Sequence, residues 1–151
     1  LALLAVELAV TVIDGLADGT ARPQVQDDVL ATRAPRVKKS DAAIDWSVHA
    51  AAIDRRVRAM QPWPKPFTFL HSTDQPPRRL ILVDVVAGPS DVSGEPGLIL
   101  ETGESGLVVR CADGSAVITR LQPEGRRVMD VGEFLRGTEV REGDRLGPFN
   151  A

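Results

Sequence analysis

The hexapeptide Gln61-Pro-Trp-Pro-Lys-Pro66 divides the chain into two regimes of apolar spacing. A helix does not pass through it, because each proline lacks an amide donor and its ring clashes with the preceding turn. Upstream, apolar residues recur at helical intervals. Leu1, Leu4, Leu8, Thr11 and Val12 fall near one face of a helix over residues 1–19, with Leu16 following and Gly15 and Gly19 as stop signals. A second helix opens at Trp46-Ser47 with Ser47 as N-cap and runs to about Met60. His49, Ile53, Val57 and Met60 share one of its faces, and Arg55 and Arg58 lie nearly opposite. Residues 20–43 between the two helices carry two prolines and little periodicity, which predicts an extended linker.

Downstream of Pro66 the spacing is that of strands. Phe67–His71, Arg79–Val86, Gly97–Glu101, Gly106–Cys111 and Ser115–Leu121 are short, rich in Val, Ile and Leu, and separated by turn residues. Asp113-Gly114 marks a hairpin tip, since glycine supplies the positive φ. Asp130-Val-Gly-Glu133 matches a capping box and predicts a short helix carrying Phe134 and Leu135. Arg141–Leu146 reads as a last turn and strand. Five or six strands with one late helix suit a small closed barrel better than an open sheet, because closure removes exposed edges.

Several chemistries are excluded. The single cysteine, Cys111, sits in an apolar run and reads as a buried, inert thiol, with no disulfide framework or multi-cysteine zinc site available. His49 and His71 stand alone, in no metal-ligand spacing. There is no glycine-rich phosphate loop, nucleophile elbow or His-Glu-x-x-His motif. Asp27 and Asp28 are adjacent in extended chain, so they point apart and read as solvated. No residue is therefore assigned to catalysis, to a metal or to a cofactor. With no Tyr, a broad base-stacking platform is not expected. Trp46 and Trp63, in apolar and proline-rich contexts, are expected to pack where helix meets barrel rather than to stack on nucleic acid. The apolar run over residues 1–13 has no basic leader, is interrupted by Glu7 and is too short for a bilayer, so it is read as neither signal peptide nor span. Opening in mid-pattern on Leu1, the chain is read as a piece of a longer protein.

Charge is segregated along the chain, whose net value is −3. Residues 1–32 hold one basic and five acidic groups, net −4, and residues 66–151 hold nine and thirteen, also −4. Residues 33–65 hold eight basic and three acidic groups, net +5. Four of those cations, Arg33, Arg36, Lys38 and Lys39, fall within seven positions. Cations on a flexible path beside a basic helix face suit the tracking of phosphates, and they equally suit a solvated linker.

The order of residues also resembles a known family. Asp14-Gly-Leu-Ala-Asp-Gly-Thr-Ala-Arg-Pro-Gln-Val-Gln-Asp27, Ala34-Pro-Arg-Val-Lys-Lys39, Ile44-Asp-Trp-Ser47 and Arg58-Ala-Met-Gln-Pro-Trp-Pro64 are similar, in register, to stretches of the methionyl-tRNA formyltransferases. So are Gly106-Leu-Val-Val-Arg-Cys-Ala-Asp-Gly114, Leu121-Gln-Pro-Glu-Gly-Arg-Arg-Val-Met129 and Phe134-Leu-Arg-Gly137. The similarity spans nearly the whole chain and is weakest across residues 71–94. It departs where Arg33 replaces a common aromatic and Lys65-Pro66 replaces a pair of small residues.

The resemblance implies a mainly β fold: a small closed OB-type antiparallel barrel of the formyltransferase C-terminal kind, with an N-terminal helix, a long linker and short flanking helices. It implies that residues 1–19 are the terminal helix of a Rossmann-like formyltransferase domain, 20–43 the linker, and 44–151 a tRNA-binding C-terminal domain. The expected function is that of the tRNA-binding part of a cytoplasmic enzyme of translation initiation. That enzyme formylates the amino group of initiator methionyl-tRNA, with 10-formyltetrahydrofolate as co-substrate bound outside this segment. The expected partners are that tRNA and the upstream domain, with no membrane, in a monomer. Arg36 and Lys39 carry over as tRNA-facing cations. Arg33, Lys38, Arg55, Arg58, Arg126 and Arg127 join them on charge and predicted exposure. A sugar-nucleotide formyltransferase or the formyltetrahydrofolate hydrolase/dehydrogenase group shares this architecture, and a stand-alone binding module is the third reading. The Leu121–Met129 run resembles the tRNA enzyme in particular.

Overall fold

The computed structural model describes residues 2–73 and 75–149; Leu1, assigned above to the first helical face, lies outside the described residues. The chain divides into two compact units, Leu1–Pro35 and Arg36–Ala151.

In the first unit, helix α1 spans Ala2–Ala17. It ends where Gly19 takes φ 71°, while the amides of Thr20 and Ala21 both donate to the Gly15 carbonyl. The expected single apolar stripe is not what forms. Leu4, Leu8, Val12 and Leu16 are exposed, and so are Val6, Val10 and Ile13, so the helix is apolar on every side. Beyond it the chain is extended apart from one turn of 3₁₀-helix, Asp28–Leu30. Asp27 is more than a solvated carboxylate there, because its Oδ1 accepts the Val29 amide at 2.9 Å and caps that turn.

The second unit is a curled antiparallel sheet of seven strands: β1 Phe67–His71, β2 Arg78–Ala87, β3 Ile99–Gly103, β4 Gly106–Cys111, β5 Gly114–Pro123, β6 Met129–Asp130 and β7 Arg145–Gly147. The order is β3-β4-β5-β2-β1-β7, with β6 paired to β5. The two edges then meet. Ile99 N–H donates to Asp144 O at 2.8 Å, Gly143 N–H to Ile99 O at 2.9 Å, and Leu146 N–H to Gly97 O at 2.7 Å. The expected mainly β, antiparallel barrel is thus what the chain forms. Residues 97–98, expected within a strand, serve instead as this seam. A bulge in β2 moves the inward alternation from Leu80 and Leu82 to Val85, and the register shifts on both sides of Asp84.

Leu80, Leu82, Ile99, Leu107, Val109, Ile118 and Leu121 fill the interior and are almost fully buried. Each such side chain contributes about 1.5–3 kcal/mol of apolar burial. Helix α2, Ala50–Ala59, covers one wall, setting Ile53 and Val57 against β2 and β5. Helix α3, Val131–Gly137, buries Val131 and Phe134 beside β5 and β6.

Local signals differ from expectation in four places. The second helix starts at Ala50, not at Ser47. Asp45 Oδ1 accepts both the amide and the hydroxyl of Ser47, which folds residues 45–47 into a turn of their own. The β4–β5 hairpin turns on Ala112-Asp113, with Gly114 already paired to Cys111. Asp130 forms no cap; its carboxylate pairs with Arg120 and that of Glu133 pairs with Arg127. Finally, Trp46 is buried at 3% exposure while Trp63 is 54% exposed, so only one indole packs inward.

Candidate nucleic-acid interface

The eight cations singled out by sequence are all exposed, and they lie in four places. Arg33 belongs to the first unit. Arg36 and Lys38 sit on extended chain, and Lys39 opens a 3₁₀ turn, Lys39–Ala42. Arg55 and Arg58 project from α2. Arg126 and Arg127 occupy the turn between β5 and β6.

The segment from Arg36 to Ala43 is fixed to the barrel unit rather than free. Asp41 Oδ2 accepts the Lys38 amide at 2.8 Å and closes the 3₁₀ turn. Arg56, which the sequence reading passed over, donates its guanidinium to the Asp41 carbonyl and ties that turn to α2. Ala42 is fully buried, Ala43 bridges to Phe67, and the Ile44 amide donates to the Phe67 carbonyl at 2.9 Å. The only advance sign of Arg56 was its place beside Arg55, on the turn of α2 adjoining the buried Ile53 and Val57. The structure thus brings Arg36, Lys38 and Lys39 onto the same unit as Arg55 and Arg58.

Their charges are not equally available. Arg58 grips Asp54 with Nε–Oδ1 at 3.0 Å and Nη2–Oδ2 at 3.1 Å, and that hydrogen bonding raises its already high pKa. Arg127 is paired with Glu133. Arg36, Lys38, Lys39, Arg55 and Arg126 have no carboxylate partner among the described residues. Arg126 lines a separate groove with Arg78, Met129, Phe134 and Thr138, where Arg78 Nη1 donates to Thr138 Oγ1 at 2.9 Å. No residue of the 36–44 segment or of α2 lines that groove.

Among the remaining groups the chemistry is structural. Asp113 reaches from the β4–β5 turn to the start of α2, where Oδ1 accepts the Ala50 amide at 3.0 Å and Oδ2 lies 3.0 Å from His49 Nδ1. The Ala50 hydrogen bond, and then His49, hold this carboxyl below its usual range. Burial pushes the Cys111 thiol up to about 11, far from a nucleophile's value. The groove where residues 44–47 pass β7 holds Asp45, whose carboxyl is lowered chiefly by the Ser47 hydroxyl, and His71, whose Nε2 lies 2.8 Å from the Pro148 carbonyl. Among the described residues, three or more His, Cys, Asp or Glu side chains do not gather where they would hold a metal ion. No described helix is long and apolar enough to cross a membrane.

Comparison with known proteins adds to this geometry. The family described as "Formyl transferase, C-terminal domain" matches residues 36–139. The chain is 41% identical over 148 residues to the methionyl-tRNA formyltransferase of Citrifermentans bemidjiense, covering 98% of this chain and 44% of that protein. It is 37% identical over 147 residues to the methionyl-tRNA formyltransferase of Geotalea uraniireducens, covering 97% and 45%. The chain thus spans less than half the length of these relatives. Among solved structures, HypX from Aquifex aeolicus in complex with tetrahydrofolic acid superposes with a TM-score of 0.57 at 16% identity, over 87% of this chain and 22% of that one. At that identity the likeness concerns the fold alone.

Proposed function

The chain belongs to the formyl transferase C-terminal domain family, and from that membership we propose that it is the tRNA-binding part of a methionyl-tRNA formyltransferase. The intact enzyme transfers a formyl group from 10-formyltetrahydrofolate to the amino group of initiator methionyl-tRNA. Residues 1–19 complete an upstream Rossmann-like domain, 20–43 form the linker, and 44–151 form an OB-type tRNA-binding domain. The exposure of apolar side chains all around α1 supports that division, since a helix apolar on every side is normally buried in a core. The folate donor and the catalytic groups belong to the upstream domain, and the whole acts as a cytoplasmic monomer in translation initiation.

The observation that carries the reading is the surface made by Arg36, Lys38, Lys39 and Arg55, which the hydrogen bond from Arg56 to Asp41 fixes to one unit. Cations of this kind, on a chain of net −3, attract phosphates by releasing counterions. They position an RNA rather than read its bases, because Arg36, Lys38 and Lys39 lie on extended chain and a 3₁₀ turn rather than on an element shaped to enter a groove. Arg33 adds to the set from the linker, Arg58 and Arg127 contribute with their charges partly committed to carboxylates, and Arg126 contributes from its own groove.

The test uses the intact gene product. Replacing Arg36 and Lys39 together by Ala is expected to raise the KM for charged initiator tRNA, leave the KM for the folate donor unchanged and flatten the salt dependence of the former. An unchanged KM for tRNA at low salt returns the segment to a solvated linker.

A further inference from the structure

The indole of Trp63 is 54% exposed and stands outside the buried core of the barrel unit. The turn that carries it is nevertheless pinned firmly. Gln61 Nε2 donates to the Leu82 carbonyl at 3.0 Å, the Lys65 amide to the Met60 carbonyl at 3.0 Å, and the Leu82 amide to the Pro66 carbonyl at 2.8 Å. Lys65 is held at φ 70°, a conformation side-chain-bearing residues rarely adopt, and such residues gather at functional sites. Pro62 and Pro64 fix the backbone φ on either side of the indole. The turn therefore presents Trp63 to the outside with little freedom left to lose on binding.

The chain on either side of it is rich in cations. Arg55 and Arg58 stand on the helix that runs into this turn, and Lys65 follows two residues after the indole. Arg55 and Lys65 have no carboxylate partner among the described residues. A partner for this face must offer a flat apolar surface and negative charge together. A nucleotide does so in a single unit, with a base for the indole and a phosphate for the cations.

We infer that Trp63 stacks on an unpaired base of the RNA whose phosphates the neighbouring cations hold. The inference rests on the tRNA-binding reading above and adds a contact that reads single-strandedness, which charge alone does not. The composition argued against a broad stacking platform, and a single indole is compatible with that.

The 151-residue chain holds two tryptophans, one buried and one exposed, so quenching of its emission by RNA reports on Trp63. The probes are a short RNA hairpin with an unpaired 3′ tail and the same hairpin made blunt. The tailed RNA is expected to quench the wild-type emission. Trp63→Leu is expected to abolish the quenching and raise Kd for the tailed RNA by roughly tenfold, the usual order for loss of one stacked base. Its Kd for the blunt RNA should stay unchanged, and Trp63→Phe, which keeps an aromatic face, should recover part of the loss. Equal binding of the tailed RNA by wild type and Trp63→Leu overturns the inference while leaving the cationic surface intact. An equal loss for tailed and blunt RNA also overturns it, assigning Trp63 to the shape of the turn. Absence of RNA binding by the wild type defeats the tRNA-binding reading itself. Protection of Trp63 from acrylamide in the intact gene product without RNA overturns the inference in favour of a protein partner over the indole.

Discussion

Trp46 donates its indole N–H to Thr68 Oγ1 at 3.1 Å, and both side chains are almost fully buried. The Thr68 hydroxyl in turn donates to the Gly147 carbonyl at 3.3 Å. This relay joins the approach to α2, strand β1 and strand β7, so it fastens the segment before α2 to the closing side of the barrel. Thr68→Val leaves the Trp46 donor buried and unpaired, which costs about 1–3 kcal/mol. Trp46→Phe loses both that bond and ring volume, and about 2–4 kcal/mol is expected. In urea unfolding followed by circular dichroism, the double variant should lose less than the sum of the two. Strict additivity would mean the bond contributes nothing.

Asp113 links the β4–β5 turn to the start of α2, and its pH dependence follows from its lowered pKa. The Ala50 amide stabilises the charged carboxylate in the folded state. The contribution is therefore complete above the ordinary aspartate value of 3.8 and is lost as pH falls through the lower folded value. In that window the unfolded chain binds more protons, so stability rises with pH. Asp113→Asn keeps an acceptor for Ala50 and removes the titration, and its melting temperature should fall less steeply with acid below about pH 4. Parallel acid profiles for the two proteins would contradict this.

Gly97 is required at the seam by space as well as by conformation. Its φ is 85°, and a Cβ there would lie 2.1 Å from the Leu146 carbonyl oxygen, a backbone atom with no easy retreat. Gly97→Ala should destabilise by roughly 2–5 kcal/mol, combining left-handed strain with overpacking. Amide exchange should quicken at Leu146 and Ile99, whose bonds close the ring. Gly125 is the comparison, with φ 73° and nothing nearby, so its alanine variant should pay only the conformational cost of roughly 1–2 kcal/mol.

The contrast between Gly97 and Gly125 also shows what a sequence can and cannot tell. Period-2 alternation and turn residues located β1 and β4 to the residue, because their inward faces demand it. The start of α2 lies two residues beyond the expected Ser47 cap because its first amide is met from far along the chain, by Asp113, and not by a local cap. Proline context marked Trp63 as interior, although proline fixes a backbone and says nothing about where the side chain ends up. The cations of the 33–65 stretch were legible as charge. Which of them are committed was not, since Asp54 meets Arg58 only once the helix forms.

Cys111 lies at 0% exposure on β4, with its thiol pushed up to about 11 by burial. At pH 8 almost none of it is thiolate, and reagent cannot reach it in the folded barrel. Modification by a disulfide reagent should be slow in the native protein and immediate in denaturant, with its rate falling on any stabilising change. Fast stoichiometric labelling under native conditions would mean that β4 opens locally.

Arg55 and Arg58 share a helix and differ in whether their charge is already met, which turns the proposed interface into a comparison between two substitutions. Arg58 is clamped by Asp54 through two hydrogen bonds, whereas Arg55 has no carboxylate partner among the described residues. A phosphate approaching Arg58 competes with Asp54, and one approaching Arg55 displaces only water and counterions. Arg55→Ala should therefore weaken tRNA binding more than Arg58→Ala and lower the slope of log K against log salt by about 1. Asp54→Asn frees Arg58 and should strengthen binding, most clearly at low salt. Fluorescence-anisotropy titrations at two salt concentrations separate these outcomes. Equal losses for Arg55→Ala and Arg58→Ala would mean that proximity to phosphate, rather than prior pairing, sets the contribution of each cation.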